Sequence, residues 1–168
     1  GLLNASVEVA DKFLTSGTVV STRGRNGRED FDYRAHEVGT WRVPLIVLID
    51  GDSASASEIF AGAIHDQGRG TVVGQRSYGK GSVQGIFPLS RYKAGIRLTT
   101  AKFCSPSGRE IRNRGVVPNV LVEQEDSRHL VARPTEQATI PGAKGDPTLQ
   151  AALEVARKSI NYTAAGQH

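Results

Sequence analysis

A single cysteine, no methionine, one tryptophan and an aromatic fraction of 6% are what this 168-residue chain has little of. Cys104 alone cannot close an internal disulfide or supply a Cys-x-x-Cys site, so the chain has neither a covalent staple nor a zinc framework. It lies in a β-like stretch and is expected to be a buried structural residue. No apolar run approaches the roughly 18 residues of a membrane span, which argues against stable membrane insertion of this segment. The net charge is +4, but the lysines and arginines are scattered and no aromatic platform runs among them, so a nucleic-acid partner is not supported. The four histidines show no metal-ligand spacing, and no metal is expected. An initiator methionine and a signal peptide are also missing: the sequence opens at Gly1-Leu2-Leu3, already within a helix-like pattern. That start suggests a fragment, with any export signal or companion domain upstream.

What is present fits one soluble domain able to bury its own core. Leu3, Val7, Ala10 and Leu14 recur at helical spacing before Gly17, which predicts a helix over 2–15. Residues 18–22 read as a strand, and the polar, Gly-containing stretch 23–39 as a loop or hairpin. Within 41–50, the run VPLIVLID is apolar on both faces and predicts a central strand covered on each side. A helix is predicted from about Ser55 to Gln67, ended by Gly68. Strands are expected at 71–74, 83–89, 95–103 and 116–122, a polar loop over 123–144 and a closing helix over 147–160. A buried strand feeding a helix through a tight turn is the first half of an α/β unit. There is no internal repeat.

Two segments carry chemistry. The first is Asp52-Ser-Ala-Ser-Ala-Ser-Glu58, at the junction of strand and helix, where free backbone N–H groups can stabilise an oxyanion beside a serine hydroxyl. Ser55-x-x-Glu58 is equally a capping box, which any helix can use. The second is Tyr78-Gly-Lys-Gly-Ser-Val-Gln84, a turn leading into a strand. A lysine acts as general base only where its surroundings lower its pKa from about 10.4 towards neutrality, and most lysines beside glycines are plain exposed turn residues. A phosphate-binding loop fails on spacing, because Gly81 and not Ser or Thr follows Lys80. A Ser-His arrangement through His65 and Asp66 fails on distance: on one helix His65 would lie about 15 Å along the axis from Ser55.

Taken together, these segments resemble the carboxyl-terminal processing (tail-specific) serine proteases. Ser53–Glu58 is similar to that family's SASASE motif, and Gly79–Gln84 to its lysine motif. Arg97–Ile111, Gly115–Pro118 and Asp146–Ala152 are similar to three further segments, so that the resemblance runs over about residues 1–158. Asn119 and Cys104 depart from it, standing where Asp and Tyr are usual. The resemblance implies Ser55 as nucleophile and Lys80 as its base, with the Ala56 N–H and Gly1 as the two halves of an oxyanion hole. Gln84 would orient the lysine, and Glu58 and Asp66 match positions linked to activity. Helical rise puts Glu58 only about 4.5 Å along the axis from Ser55 but Asp66 about 16 Å, so Glu58 is expected to support the site and Asp66 to hold structure. Gln84 reaches Lys80 only if the intervening turn is bent, since four extended residues span about 13 Å.

The implied fold is α/β, a crotonase-like core with helices packed on a curved sheet. Residues 1–160 would be the catalytic core and 161–168 a tail, with a PDZ domain and a preceding strand absent. The implied activity is a serine endopeptidase that cuts polypeptides near their C-terminus without a cofactor, in the periplasm or another exported compartment and with membrane association through upstream sequence. The fragment alone is expected to fold but to be weak or inactive, and oligomerisation is left open. Two other classes compete: a non-proteolytic ligand- or peptide-binding module on the same fold, and a crotonase-type acyl-CoA enzyme. Retention of both Ser55 and Lys80 argues against each.

Overall fold

The computed structural model describes residues 1–89, 94–123 and 145–165. Two sheets share one helix. Strands β1 (Thr18–Gly24), β2 (Phe31–Arg34), β5 (Ser82–Leu89) and β6 (Ala94–Cys104) form an antiparallel sheet in the order β2-β1-β6-β5. Strands β3 (Ile46–Ile49), β4 (Thr71–Gly74) and β7 (Val120–Leu121) form a parallel one in the order β3-β4-β7. Helices α1 (Leu3–Asp11) and α2 (Ala56–Asp66) pack on each other and on β1, and α3 (Pro147–Ala165) lies on β3 and β4.

Why α2 is central can be read from its composition. Ile59, Ala63 and Ile64 join Ala10, Leu14, Val19, Val20 and Phe103 in a core against α1 and the antiparallel sheet. Ala61, on another face, packs with Ile49, Val72 and Val116 towards the parallel sheet. A helix buried on several sides needs small or apolar residues on each of them, and the stretch Ile-Phe-Ala-Gly-Ala-Ile supplies them. Complete burial of Ile59 or Ile64 contributes about 1.5–3 kcal/mol each. The antiparallel β5–β6 ribbon runs on past this core, with Phe87 opposite Ile96 and both substantially exposed.

The structure departs from the sequence reading in four places, one of them the strand expected over 116–122, which shortens to β7. The first helix stops at Asp11, although Leu14 beyond it is still buried. Among the described residues β4, not β3, is the middle strand of the parallel sheet. The double apolar face of β3 is covered in part by α3, and Leu48 remains 42% exposed. Helix α3 continues to Ala165, past the expected end at 160; Asp146 caps it by accepting from the Leu149 N–H, with Pro147 in the first turn. The polar loop expected over 123–144 falls, from 124 on, outside the described residues, as do His129 and His168. No described helix is long and apolar enough to cross a membrane. Cys104 is buried and free, and burial raises its thiol pKa.

Candidate active site

The turn between β3 and α2 is built by Asp50. Its Oδ1 accepts from the N–H groups of Asp52 (3.1 Å) and Ser53 (2.8 Å) and from the Ser53 hydroxyl (2.7 Å), while Ser53 Oγ accepts the Asp50 N–H. The Ser53 hydroxyl is therefore consumed in shaping the turn. Two residues on, Ser55 sits at φ 60°, ψ −116°, one of only two described non-glycine residues with positive φ. Such a conformation costs about 1–3 kcal/mol and persists only when its surroundings impose it. It places the serine on a sharp bend between a strand and the start of α2, the local geometry of a nucleophile elbow. The Ala56 N–H belongs to the first helical turn, whose donors lack intrahelical acceptors. Gly1 is packed against this residue: a β-carbon on Gly1 would stand 2.7 Å from Ala56 Cβ. The two positions expected to share an oxyanion hole are thus neighbours in space.

Glu58 makes this turn and the lysine turn a single unit. It is wholly buried, and its two oxygens accept four hydrogen bonds. Oε1 takes the Ser77 hydroxyl (2.6 Å) and the Gly79 N–H (2.6 Å); Oε2 takes the N–H groups of Ser55 (2.8 Å) and Lys80 (2.8 Å). Four donors offset the large desolvation cost of a buried carboxylate, which would be prohibitive for an unpaired one. A further bond, Tyr78 N–H to Ser53 O (2.9 Å), ties the same two turns together. Ser77, itself buried, accepts the Val116 N–H (2.7 Å) on its hydroxyl, so the 111–116 segment closes the back of the cluster.

The glycines flanking Lys80 have separate reasons. Gly79 has φ +91°, and a β-carbon on Gly81 would meet Arg112 N at 2.3 Å. The 111–114 segment can therefore lie directly against the turn, where the Asn113 N–H donates to Gly79 O. The Lys80 side chain is exposed. Gln84 is exposed on β5, paired with Thr99 just after a register irregularity between Val83 and Gln84, a feature that re-aims side chains.

Asp66 stands apart, at the far end of α2. It accepts from the Ser107 N–H and hydroxyl (3.1 and 2.6 Å), from Arg109 (2.6 Å) and from His65 Nδ1 (2.9 Å), fastening the turn after β6. Burial opposes ionisation of this carboxyl, yet hydrogen bonds from Ser105, Ser107 and His65 outweigh it and hold its pKa well below the ordinary 3.8. The tempting His65–Asp66 pair thus exists, but it sits at the opposite end of α2 from Ser55. Asn119 shows how its departure from the usual Asp is accommodated. Its side-chain oxygen accepts the Val72 N–H and its own N–H donates to Val72 O, work for which either residue has the acceptor. Sequence reasoning missed Ser77. Its position two residues before Gly79 gave no signal, because its partners Glu58 and Val116 are distant in the chain.

Comparison with known proteins fits this geometry. Residues 1–122 match the sequence model of Peptidase family S41. A carboxy-terminal-processing protease of Bartonella bacilliformis is 49% identical over 126 residues, covering 74% of this chain and 29% of the relative. The chloroplastic carboxyl-terminal-processing peptidase 3 of Arabidopsis thaliana is 36% identical over 168 residues, covering 98% of this chain and 32% of the relative. This chain therefore spans about a third or less of the length of these relatives. The solved photosystem II D1 C-terminal processing protease superposes with a TM-score of 0.67 at 34% identity, over 73% of this chain and 32% of that one. The mixed α/β arrangement, a curled antiparallel half-barrel beside a parallel sheet, is the fold of that structure. With the sequence model matching well over half its length, the chain belongs to Peptidase family S41.

Proposed function

We propose that this chain carries the catalytic centre of a serine endopeptidase that cuts polypeptides near their C-terminus. The observation that carries the reading is the Glu58 clamp, which fixes the backbones of Ser55 and Lys80 on one carboxylate oxygen. A structural N-cap serine has no need of a strained φ, nor of a lysine turn bound to the same carboxylate.

In the proposed reaction the neutral amine of Lys80 takes the proton of the Ser55 hydroxyl as Oγ attacks the scissile carbonyl carbon. The resulting oxyanion is held by the Ala56 N–H, with the Gly1 backbone as second donor. On collapse the C–N bond breaks, the lysine's proton passes to the departing amine and an acyl-serine remains. Water, deprotonated by the same lysine, then releases the acid and restores Ser55. Gln84 orients the lysine, Glu58 positions both partners without touching substrate, and no step calls on a cofactor. Substrates are polypeptide chains with an accessible C-terminal region. An exported compartment suits this reading, and the chloroplastic designation of one relative is in keeping with it.

The test is labelling of the full-length protein with a fluorophosphonate probe, with the modified peptide located by mass spectrometry. Label on Ser55, lost in Ser55→Ala and largely kept in Ser53→Ala, is the expected result. Equal loss in both variants, or cleavage of an unfolded polypeptide that survives Ser55→Ala, overturns the assignment.

A further inference from the structure

A cleft of about 260 Å³ opens between the last two turns of α2 and residues 105–117. It holds neither Ser55 nor Lys80. Its lining includes three arginines, Arg76, Arg109 and Arg114, beside the apolar Ile111, Val116 and Val117. Two carboxylates also reach it, but both are already engaged. Asp66 is taken up by Ser107, Arg109 and His65, and Glu110 by the Lys102 ammonium at 3.0 and 3.2 Å. Arg109 is spent on Asp66. The side chains of Arg76 and Arg114 have no hydrogen-bond or ion-pair partner among the described residues. Two arginines with unpaired side chains lining one concave space are an electrostatic arrangement suited to an anion, and a guanidinium's planar fork matches the paired oxygens of carboxylate or phosphate.

We infer that this cleft is a binding site for a small oxyanion, a phosphate or a carboxylate, held between Arg76 and Arg114. Its place in the fold gives the site a route to the rest of the molecule. Arg76 immediately precedes Ser77, and Arg114 lies two residues before Val116; Ser77 and Val116 exchange two hydrogen bonds, Ser77 N–H to Val116 O (3.1 Å) and Val116 N–H to Ser77 Oγ (2.7 Å). An anion bridging the two arginines therefore spans the pair of segments that this contact joins, and it stabilises the folded chain by an amount that rises with the logarithm of anion concentration above the dissociation constant. The inference does not depend on the proposed peptidase chemistry.

The experiment is titration of the protein with inorganic phosphate and, separately, with succinate, each against sodium chloride at equal ionic strength, read by thermal unfolding and calorimetry. Saturable one-to-one binding is expected for at least one of the two anions, weakened about tenfold or more in Arg76→Ala and in Arg114→Ala and unchanged in Arg25→Ala. The anion that binds more tightly identifies the class of ligand. Because all three arginines are exposed, their replacement is expected to leave the fold intact, and the melting temperature of each variant without anion checks this. The inference is overturned if neither anion raises the melting temperature beyond the chloride control, or if both cleft variants bind as the unaltered protein does.

Discussion

The backbone N–H groups of Ser55 and Lys80 donate to a single oxygen, Oε2 of Glu58, each over 2.8 Å. The two nitrogens can be no farther apart than twice that distance, although all of α2 and β4 separate the residues in sequence. The relationship depends on neither residue's side chain. Glu58 can thus fix the backbones while leaving the hydroxyl and the amine free to react.

Replacing Glu58 with Gln keeps the shape and inverts one end. An NH2 group would face two donors that now point at oxygen, leaving buried N–H or O–H groups unpaired at about 1–3 kcal/mol each. Glu58→Gln is expected to lower the denaturation midpoint and to slow fluorophosphonate labelling sharply even though Ser55 and Lys80 are intact. Unchanged labelling would separate the clamp from the chemistry.

The strain at Ser55 gives a second expectation, on stability alone. At φ 60° an alanine bears the same penalty as serine, whereas glycine adopts the angle freely, offset by its greater entropy in the unfolded chain. Ser55→Gly should therefore be more stable than Ser55→Ala by about 1 kcal/mol in equilibrium denaturation. An alanine variant as stable as the glycine variant would show that the bend at Ser55 stores no strain.

Much of this was legible in the sequence because it is local. Helix α2, the Gly68 stop, β4 and the serine and lysine turns each announce themselves within a few residues, and helical rise alone separates Glu58 from Asp66. The position of β3 was not legible, since an apolar run does not reveal whether its second face meets another sheet or a helix such as α3, 100 residues away in sequence. Ser77 was missed for the same reason. A serine becomes part of a buried cluster only through distant partners, here Glu58 and Val116, and neither leaves a trace at short spacing.

Lys80 offers the sharpest separation of base from cation. Its N–H bond to Glu58 belongs to the backbone and its side chain is exposed, so Lys80→Arg and Lys80→Ala should both fold with unfolding free energies within about 0.5 kcal/mol of the parent. Arginine keeps the charge but cannot give up its proton at working pH, so both variants should be equally inactive in peptide cleavage. Activity in the arginine variant alone would make the residue an electrostatic group and not a base.

Asp66 provides the pH test, and its sign follows from the direction of its shift. A carboxyl whose pKa is lower in the folded chain than its ordinary 3.8 adds stability that is fully present above that value and is lost as pH falls through it towards the folded pKa. Asp66→Asn keeps the shape of the side chain but gives up the charged hydrogen bonds from Ser107 and Arg109, at about 1.5–3 kcal/mol near neutral pH. The gap in stability between parent and variant should therefore be widest from pH 5 to 7 and narrow progressively below roughly pH 4. Urea unfolding of both proteins across that range reads it directly. A gap that stays constant to pH 2 would mean that the variant fails through packing and not charge, and a gap that widened in acid would reverse the assigned direction.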